Sequence, residues 1–328
     1  MMHVRTGDAG YLDRADAWAR YFIEDYRNCV GDPYASFCYD RDAFGADHLW
    51  GWGLVARAEA TGDEAARDEA VALATVVEEL WSPDSSFGCL PQSGCTTYGV
   101  RQAGRHLLLV TRVGELTGDE RWATLRDRII DVLLASSDWD EALGTYVLGE
   151  WSTDQELGAG AYAGGARLMS AFQIGVLSEA FDHAYRVTGL DALRDRMVKM
   201  AAFVDTYGLD PTYDYTASWF GVVDGKVWHS YSASEPVEFW DPVYTTSLVN
   251  TLMRGYRYTC DPHYRERAVH FFERGNKGIY GDPTGRAAPD TVVDHFVDTR
   301  FASASGGFFL DYNKGELQYT YLLFAPVE

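Results

Sequence analysis

Six residues of this chain carry side chains suited to proton transfer or charge neutralisation. His48, Tyr98, Arg101 and Tyr162 stand where apolar helical patterns begin, and His229 and Tyr231 lie in a connection spanning 208–242. A base, an acid and a cation are what eliminative cleavage beside a uronic acid needs. The base removes the C5 proton, the acid protonates the glycosidic oxygen, and the cation neutralises the carboxylate. A tyrosine serves as base only with a lowered pKa, which a neighbouring arginine supplies. Two of the six have plainer readings: His48 as a helix-start or core histidine, and His229 as part of an ordinary strand in Val227-Trp-His-Ser-Tyr231.

The alternative chemistry is hydrolysis. It needs two carboxyl groups flanking the scissile bond, about 5–5.5 Å apart for retention or about 6.5–9.5 Å for inversion. Asp47, Asp154, Glu156, Glu235, Glu238 and Asp241 are placed for it, with Asp154, Glu238 and Asp241 the leading set. Asp241 also reads as a helix cap. With 49 acidic residues in the chain, no carboxylate pair singles itself out. Asp290, Asp294, His295, Asp298 and Arg300 form a further polar cluster, read first as a solvated loop. Seven of the ten tryptophans (Trp50, Trp52, Trp139, Trp151, Trp219, Trp228, Trp240) fall in connections or at apolar-helix starts. That bias suits stacking on sugar rings, with Trp50, Trp151, Trp219 and Trp240 as substrate-binding candidates, although large aromatics also pack long loops onto a scaffold.

The elements that must position these residues are marked by a recurring tripeptide. Thr6-Gly7-Asp8, Thr61-Gly62-Asp63, Thr117-Gly118-Asp119, Thr188-Gly189-Leu190 and Thr259-Cys260-Asp261 recur at spacings of 55, 56, 71 and 71 residues. Each precedes a charged amphipathic stretch. Glycine ends one helix in the left-handed conformation and Asp caps the next. The stretches after the turns carry one apolar stripe: Ala66, Ala70, Leu73, Val77, Leu80 in 64–81; Trp122, Leu125, Ile129, Val132 in 120–134; Leu193, Met197, Met200, Val204 in 190–206. Shorter stripes occupy 10–27 and 262–276. The stretches before the turns (46–60, 100–116, 167–187, 243–258) are apolar round most of the circumference, as expected of helices buried on both sides. Inner helices alternating with one-faced outer helices describe an all-α fold, an α/α toroid of about four to five hairpins.

The connections are unequal. Inner-to-outer links are tight turns, whereas outer-to-inner links are far longer than the usual ~4–6 residues. The long loops therefore gather over the inner-helix N-termini, where free N–H groups and the helix dipole suit anionic ligands. Four inner and five outer helices leave the ring incomplete, unless 290–328 or sequence upstream supplies the rest. Residues 306–324 read as a short β-hairpin around Asn313-Lys314-Gly315. The expected domains are a toroid over 1–289 and a C-terminal extension over 290–328 that carries the hairpin.

At Asp47-His48-Leu-Trp-Gly-Trp-Gly…Thr61-Gly62-Asp63 the chain resembles the six-hairpin α/α toroids of polysaccharide-degrading enzymes, a group of glycoside hydrolases and polysaccharide lyases. Gly104…Leu116-Thr-Gly-Asp-Glu-Arg-Trp122 and Phe172…Gly175-Val-Leu-Ser-Glu-Ala…Thr188-Gly189 carry the same likeness, which spans residues 6–276. The nearest resemblance is to the helical domain of exo-acting rhamnogalacturonan-lyase-like proteins, where an Asp-His pair also opens an inner helix ending in Thr-Gly-Asp. The resemblance implies the toroid fold, a saccharide substrate and a place in the cleft for His48. It does not fix the reaction. Other toroids are terpene cyclases and prenyltransferase subunits, but the Asp-x-Asp-Asp run of the former and the zinc ligands of the latter are missing.

The composition bounds the partners. A formal charge of −21 argues against nucleic acid and anionic membranes, and no run of 18 apolar residues offers a membrane span. No Gly-x-Gly-x-x-Gly, Walker or Gly-x-Ser-x-Gly pattern supports a nucleotide cofactor or a serine-hydrolase elbow, so no cofactor and no metal are expected. Five cysteines are an odd number for a disulfide framework. The expected partner is a poly- or oligosaccharide, with an upstream domain or a second copy as further options. The N-terminus as given has no signal-peptide pattern, so the expectation is cytoplasmic as written, or secreted if the N-terminus is truncated.

Overall fold

A computed structural model describes residues 51–81, 99–136, 138–150, 167–209, 219–223, 226–230 and 247–280, together with positions 13, 211, 214, 216 and 245. The helices run α1 Trp52–Thr61, α2 Glu64–Leu80, α3 Gly99–Thr117, α4 Glu120–Ala135, α5 Ala171–Thr188, α6 Asp191–Tyr207, α7 Val249–Thr259 and α8 Pro262–Tyr280. They form four hairpins, α1–α2, α3–α4, α5–α6 and α7–α8, each closed by one of the tripeptides. The first tripeptide, the helix expected over 10–27 and the C-terminal hairpin lie outside the described residues.

The turns repeat one design. The threonine hydroxyl donates to the carbonyl four residues back: Thr61 to Arg57 at 2.8 Å, Thr117 to Val113 at 2.8 Å, Thr259 to Gly255 at 2.7 Å. The next residue is left-handed, with φ of 71° at Gly62, 68° at Gly118, 68° at Gly189 and 58° at Cys260. The aspartate then caps the outer helix. Asp63 accepts from Ala66 N at 3.0 Å, Asp119 from Arg121 N at 2.9 Å and Asp261 from His263 N at 3.0 Å. The Ala66 N–H and the Arg57 guanidinium hold the Asp63 carboxyl below its ordinary range.

The chain divides into two compact units, Met1–Ser136 with Arg186–Gly189, and Ser137–Tyr185 with Leu190–Glu328. In the first, α1 and α3 pack together with α2 and α4 against them. On α2, Ala66, Ala70, Leu73, Ala74 and Val77 are fully buried, whereas Leu80, the last residue of the expected stripe, is only half-buried. On α4 the buried row is Trp122, Leu125, Ile129, Ile130 and Leu133, so Leu133 replaces the expected Val132 at the end of the stripe. Helix α3 is buried from Gln102 through Thr111, as its all-round apolarity requires. Helix α1 differs from expectation. Only Leu54, Val55 and Ala58 are buried, while Gly53, Ala56, Glu59 and Ala60 are exposed, because its described partners α2 and α3 lie on one side.

In the second unit α7 packs on α6 and α8. The α6 stripe Leu193, Met197, Met200 and Val204 is fully buried, each such side chain contributing about 1.5–3 kcal/mol. This unit also holds structure that the helical periodicity does not show. Residues 167–170, read as the start of a helix, are a strand. They join a four-stranded antiparallel sheet in the order β3 Leu148–Glu150, β4 Arg167–Ser170, β5 Trp219–Val223, β6 Lys226–Ser230. A two-stranded ladder, β1 Trp139–Asp140 with β2 Thr145–Tyr146, precedes it. Strand β4 runs directly into α5, so the sheet stands at the N-terminal end of that helix.

Candidate functional site

Of the residues singled out from sequence, His48, Trp50, Tyr98, Trp151, Asp154, Tyr162, Tyr231, Glu238, Trp240 and Asp241 lie outside the described residues. Arg101, Trp219 and His229 lie within them. Arg101 is the third residue of α3 and therefore sits in the first turn of an inner helix. The sheet register fixes the other two. Phe220 pairs with both Met169 and His229, which makes Met169, Phe220 and His229 one row across the sheet. Phe220 is fully buried and meets the Phe203 ring of α6 edge-on at 5.5 Å. His229 thus shares a register row with the buried Phe220. Trp219 pairs with Ser170 and Ser230, and Trp228 with Gly221, in the neighbouring register rows.

Three of the four described outer helices begin differently from the inner helices α1 and α7, while the outer helix α6 follows Leu190 and has no side-chain cap either. The outer helices α2, α4 and α8 start on an aspartate that bonds the first-turn N–H groups. The inner helices α1 and α7 start after Gly51 and Leu248, neither of which supplies a side-chain cap. That end of an inner helix keeps the positive pole of its dipole without a compensating carboxylate cap.

The sequence reading passed over the polar residues inside the inner helices. Gln102, Arg105 and His106 of α3, Asp182 and His183 of α5, and Asn250 and Arg254 of α7 are all buried. The signal was present: polar side chains interrupting an otherwise apolar helix. Two arrangements show what they do. The Trp81 indole N–H donates to His106 Nδ1 at 2.9 Å, which leaves the second ring nitrogen to carry the proton, and Arg128 donates to the Trp81 carbonyl at 3.0 Å. Asp182 of α5 accepts from the Tyr258 hydroxyl and lies 3.7 Å from Arg254 Nε and 3.5 Å from Arg257 Nη1 of α7. One carboxylate thereby ties two inner helices together. Burial and the bond to Asp182 hold the Tyr258 phenol well above its ordinary range. Tyr146 is pushed up as well, by burial that the Arg196 guanidinium offsets only in part. Neither tyrosine has the lowered pKa that a catalytic base requires. Among the described residues no group of three His, Cys, Asp or Glu is arranged to hold a metal ion.

No family model matches the chain, and no curated protein is similar to it. Solved structures do resemble it. Cellobiose 2-epimerase from Bacillus thermoamylovorans aligns with a TM-score of 0.60 at 13% identity, over 83% of this chain and 71% of the epimerase. A polysaccharide lyase aligns with a TM-score of 0.58 at 15% identity, over 99% of this chain and 88% of the lyase. Unsaturated glucuronyl hydrolase from Streptococcus agalactiae aligns with a TM-score of 0.52 at 14% identity, over 87% and 67%. The fold is the α/α toroid. The structures similar to this chain are carbohydrate-active enzymes of that fold.

Proposed function

We propose that the chain is a carbohydrate-active enzyme that cleaves a uronic-acid-containing poly- or oligosaccharide by β-elimination. The observation that carries this reading is the likeness to a polysaccharide lyase along nearly the whole chain, 99% of it. The position of Arg101 in the first turn of inner helix α3 supports it, because a guanidinium there would add to the dipole field that favours a carboxylate. In this reading Arg101 neutralises the uronate and so acidifies its C5 proton. His48 or a tyrosine among Tyr98, Tyr162 and Tyr231 takes that proton, the C4–O bond breaks as the C4–C5 double bond forms, and a second member of the set protonates the departing oxygen. His229 belongs to the same set by type. Trp50, Trp151, Trp219 and Trp240 would supply stacking faces.

Hydrolysis by a carboxylate pair from Asp154, Glu238 and Asp241 is the second reading, favoured by the likeness to unsaturated glucuronyl hydrolase. The two separate in one experiment: incubation with a panel of polyuronates, following ultraviolet absorbance and new reducing ends together. Elimination gives both signals, since only it creates a conjugated unsaturated uronate. Reducing ends without absorbance mean hydrolysis. Saccharide binding with neither signal means a non-catalytic carbohydrate-binding domain.

A further inference from the structure

Hairpin β1–β2 is too short to hold itself in place. Each strand has two residues, and an isolated two-stranded ladder is marginal in water even when longer. Side chains of α6 set its position. The Arg196 guanidinium lies 4.4 Å over the Trp139 ring and 5.2 Å over the Tyr146 ring, and it donates to the Tyr146 hydroxyl. The two rings meet edge-on at 5.0 Å, so one planar cation spans both strands. Beside it Lys199 donates to Glu141, and the Trp139 indole N–H donates to the same carboxylate at 2.7 Å. The hairpin turn abuts α6 so closely that a Cβ on Gly144 would lie 3.1 Å from the Lys199 carbonyl oxygen.

The same hairpin reaches the elements that follow it. Tyr146 is buried against Phe181 of α5, with ring centroids 6.4 Å apart, and the buried Thr145 hydroxyl donates to Met169 Sδ of β4 at 3.4 Å. The chain passes through one residue, the buried Val147, into β3. Strand β3 pairs with β4 through Leu148 with Leu168 and Glu150 with Arg167. The chain leaves this strand pair at Glu150 and returns at Arg167, two residues opposite each other in the register. Between them in sequence stand Trp151, Asp154 and Tyr162, three of the candidates for contact with a saccharide.

We propose that Arg196 is a positioning residue: through hairpin β1–β2 it fixes the β3–β4 pair that anchors both ends of residues 151–166. The proposal rests on the saccharide reading above, in which this segment contributes to the substrate site, and it adds an outer-helix residue that governs affinity without touching substrate. Without the guanidinium nothing joins the two rings to α6, and the β3–β4 pair is formed for a smaller fraction of the time. Substrate binds only from that fraction, so apparent affinity falls in proportion, while the saturated complex turns over as before. Shape matters as well as charge, because a lysine ammonium cannot lie flat over two rings and still donate to the hydroxyl.

The test compares the wild type with Arg196→Met, Arg196→Lys, Trp139→Ala and the double variant Arg196→Met/Trp139→Ala. Arg194→Met serves as control, since it breaks only an exposed pairing with Asp191 and Asp195 on the same helix. Two quantities are read well below the thermal midpoint. One is amide hydrogen exchange over 145–150 and 167–170. The other is affinity for polyuronates, as KM where the wild type cleaves them and as Kd where it only binds. Arg196→Met should speed exchange in these strands and raise KM about tenfold each, the scale of a partly buried cation–π contact with its hydrogen bond, and leave kcat within about twofold. Arg196→Lys should show the same split at about threefold, and it carries the test should the methionine variant fail to fold. Trp139→Ala should raise KM, and the double variant should raise it no further than the larger single effect, because both changes break one clamp. Arg194→Met should match the wild type. A lowered midpoint with unchanged strand exchange and unchanged KM makes Arg196 merely structural and overturns the proposal. Faster exchange with unchanged KM overturns it too, as do effects of Arg196→Met and Trp139→Ala that multiply. A wild type that neither binds nor cleaves any polyuronate overturns the functional reading, and exchange then decides by itself whether Arg196 fixes the strands.

Discussion

Replacing Cys260 by glycine should make this protein more stable, although it deletes a side chain. Cys260 closes the α7–α8 hairpin with φ of 58°, the left-handed conformation that Gly62, Gly118 and Gly189 adopt in the other three hairpins. An L-residue held there carries about 1–2 kcal/mol of strain, and glycine escapes it. Glycine gives back about 0.5–1 kcal/mol through the greater freedom of the unfolded chain. The net gain is about 0.5–1 kcal/mol. The converse change isolates the same effect. A Cβ added at Gly62, Gly118 or Gly189 meets no atom within 4 Å, so Gly→Ala at those sites measures backbone conformation free of collision. Each should cost about 1 kcal/mol, and Gly118→Asn less, since asparagine tolerates the left-handed region.

Scanning calorimetry reads these changes. At about 2.1 cal/mol/K of unfolding entropy per residue, 1 kcal/mol moves the midpoint of a chain of 328 residues by about 1.5 °C. If the two units unfold in separate transitions the shift is concentrated in one of them and is larger. A lowered midpoint for Cys260→Gly, or a Gly118→Asn variant as impaired as Gly118→Ala, would refute the reasoning and place the turn's stability in contacts rather than in backbone conformation.

Other expectations follow from the same geometry. Asp63→Ala should cost about 1 kcal/mol at neutral pH by removing a helix cap. Because the folded carboxyl is held below its ordinary pKa, this contribution exists above about pH 4 and disappears as pH falls through the folded value, so wild-type and variant denaturation curves should converge in acid. Asp182→Ala should destabilise by about 3–5 kcal/mol, since it leaves Arg254 buried beside no carboxylate, whereas Tyr258→Phe should cost only about 1–2 kcal/mol; equal effects in urea titration would contradict the hub role of Asp182. For the reaction, His48→Ala or Tyr231→Phe should lower kcat by about a hundredfold or more, and Arg101→Ala should reduce kcat on uronates. If instead Asp154→Asn, Glu238→Gln or Asp241→Asn abolishes turnover while those changes mainly raise KM, the enzyme is a hydrolase.

The outer helices were legible because each has one apolar face, and period alone then fixes both type and extent. Leu193, Met197, Met200 and Val204 are all buried as the spacing demanded. The hairpin turns were legible because each needs particular residues at particular offsets. Strand β4 was not. Leu168 and Met169 continue the apolar run of α5, and a short apolar run does not distinguish strand from helix. What makes 167–170 a strand is pairing with 219–223, some fifty residues away, which no local window contains. The exposure of Ala56 and Ala60 on α1 has a similar cause, because small apolar residues are compatible with burial without requiring it. The candidate site rests on residue type and on position at inner-helix starts, and most of its members lie outside the described residues. The buried polar residues Asp182, His183 and Asn250 are not legible from period, because they sit in helices that are otherwise apolar.

That overlooked interior bears on how the scaffold could serve chemistry. Three of the four described hairpins cap their outer helix with an aspartate, so the tight-turn end has its N–H groups answered by its own carboxylates. The inner helices α1 and α7 begin without a side-chain cap, and Arg101 stands in the first turn of α3. These starts therefore differ in electrostatics from the aspartate-capped outer-helix starts, in a chain whose overall charge is −21. The mean field of such a chain repels an acidic polysaccharide. A uronate would be held only where local positive potential overcomes that field, and the start of α3, with Arg101 in its first turn, is a candidate for such a place. Raising ionic strength screens the long-range repulsion more than the short-range contact. For a uronate substrate, moderate salt should accordingly speed association before high salt weakens binding, and a monotonic loss of kcat/KM with salt from the lowest concentrations would argue against this division of the field.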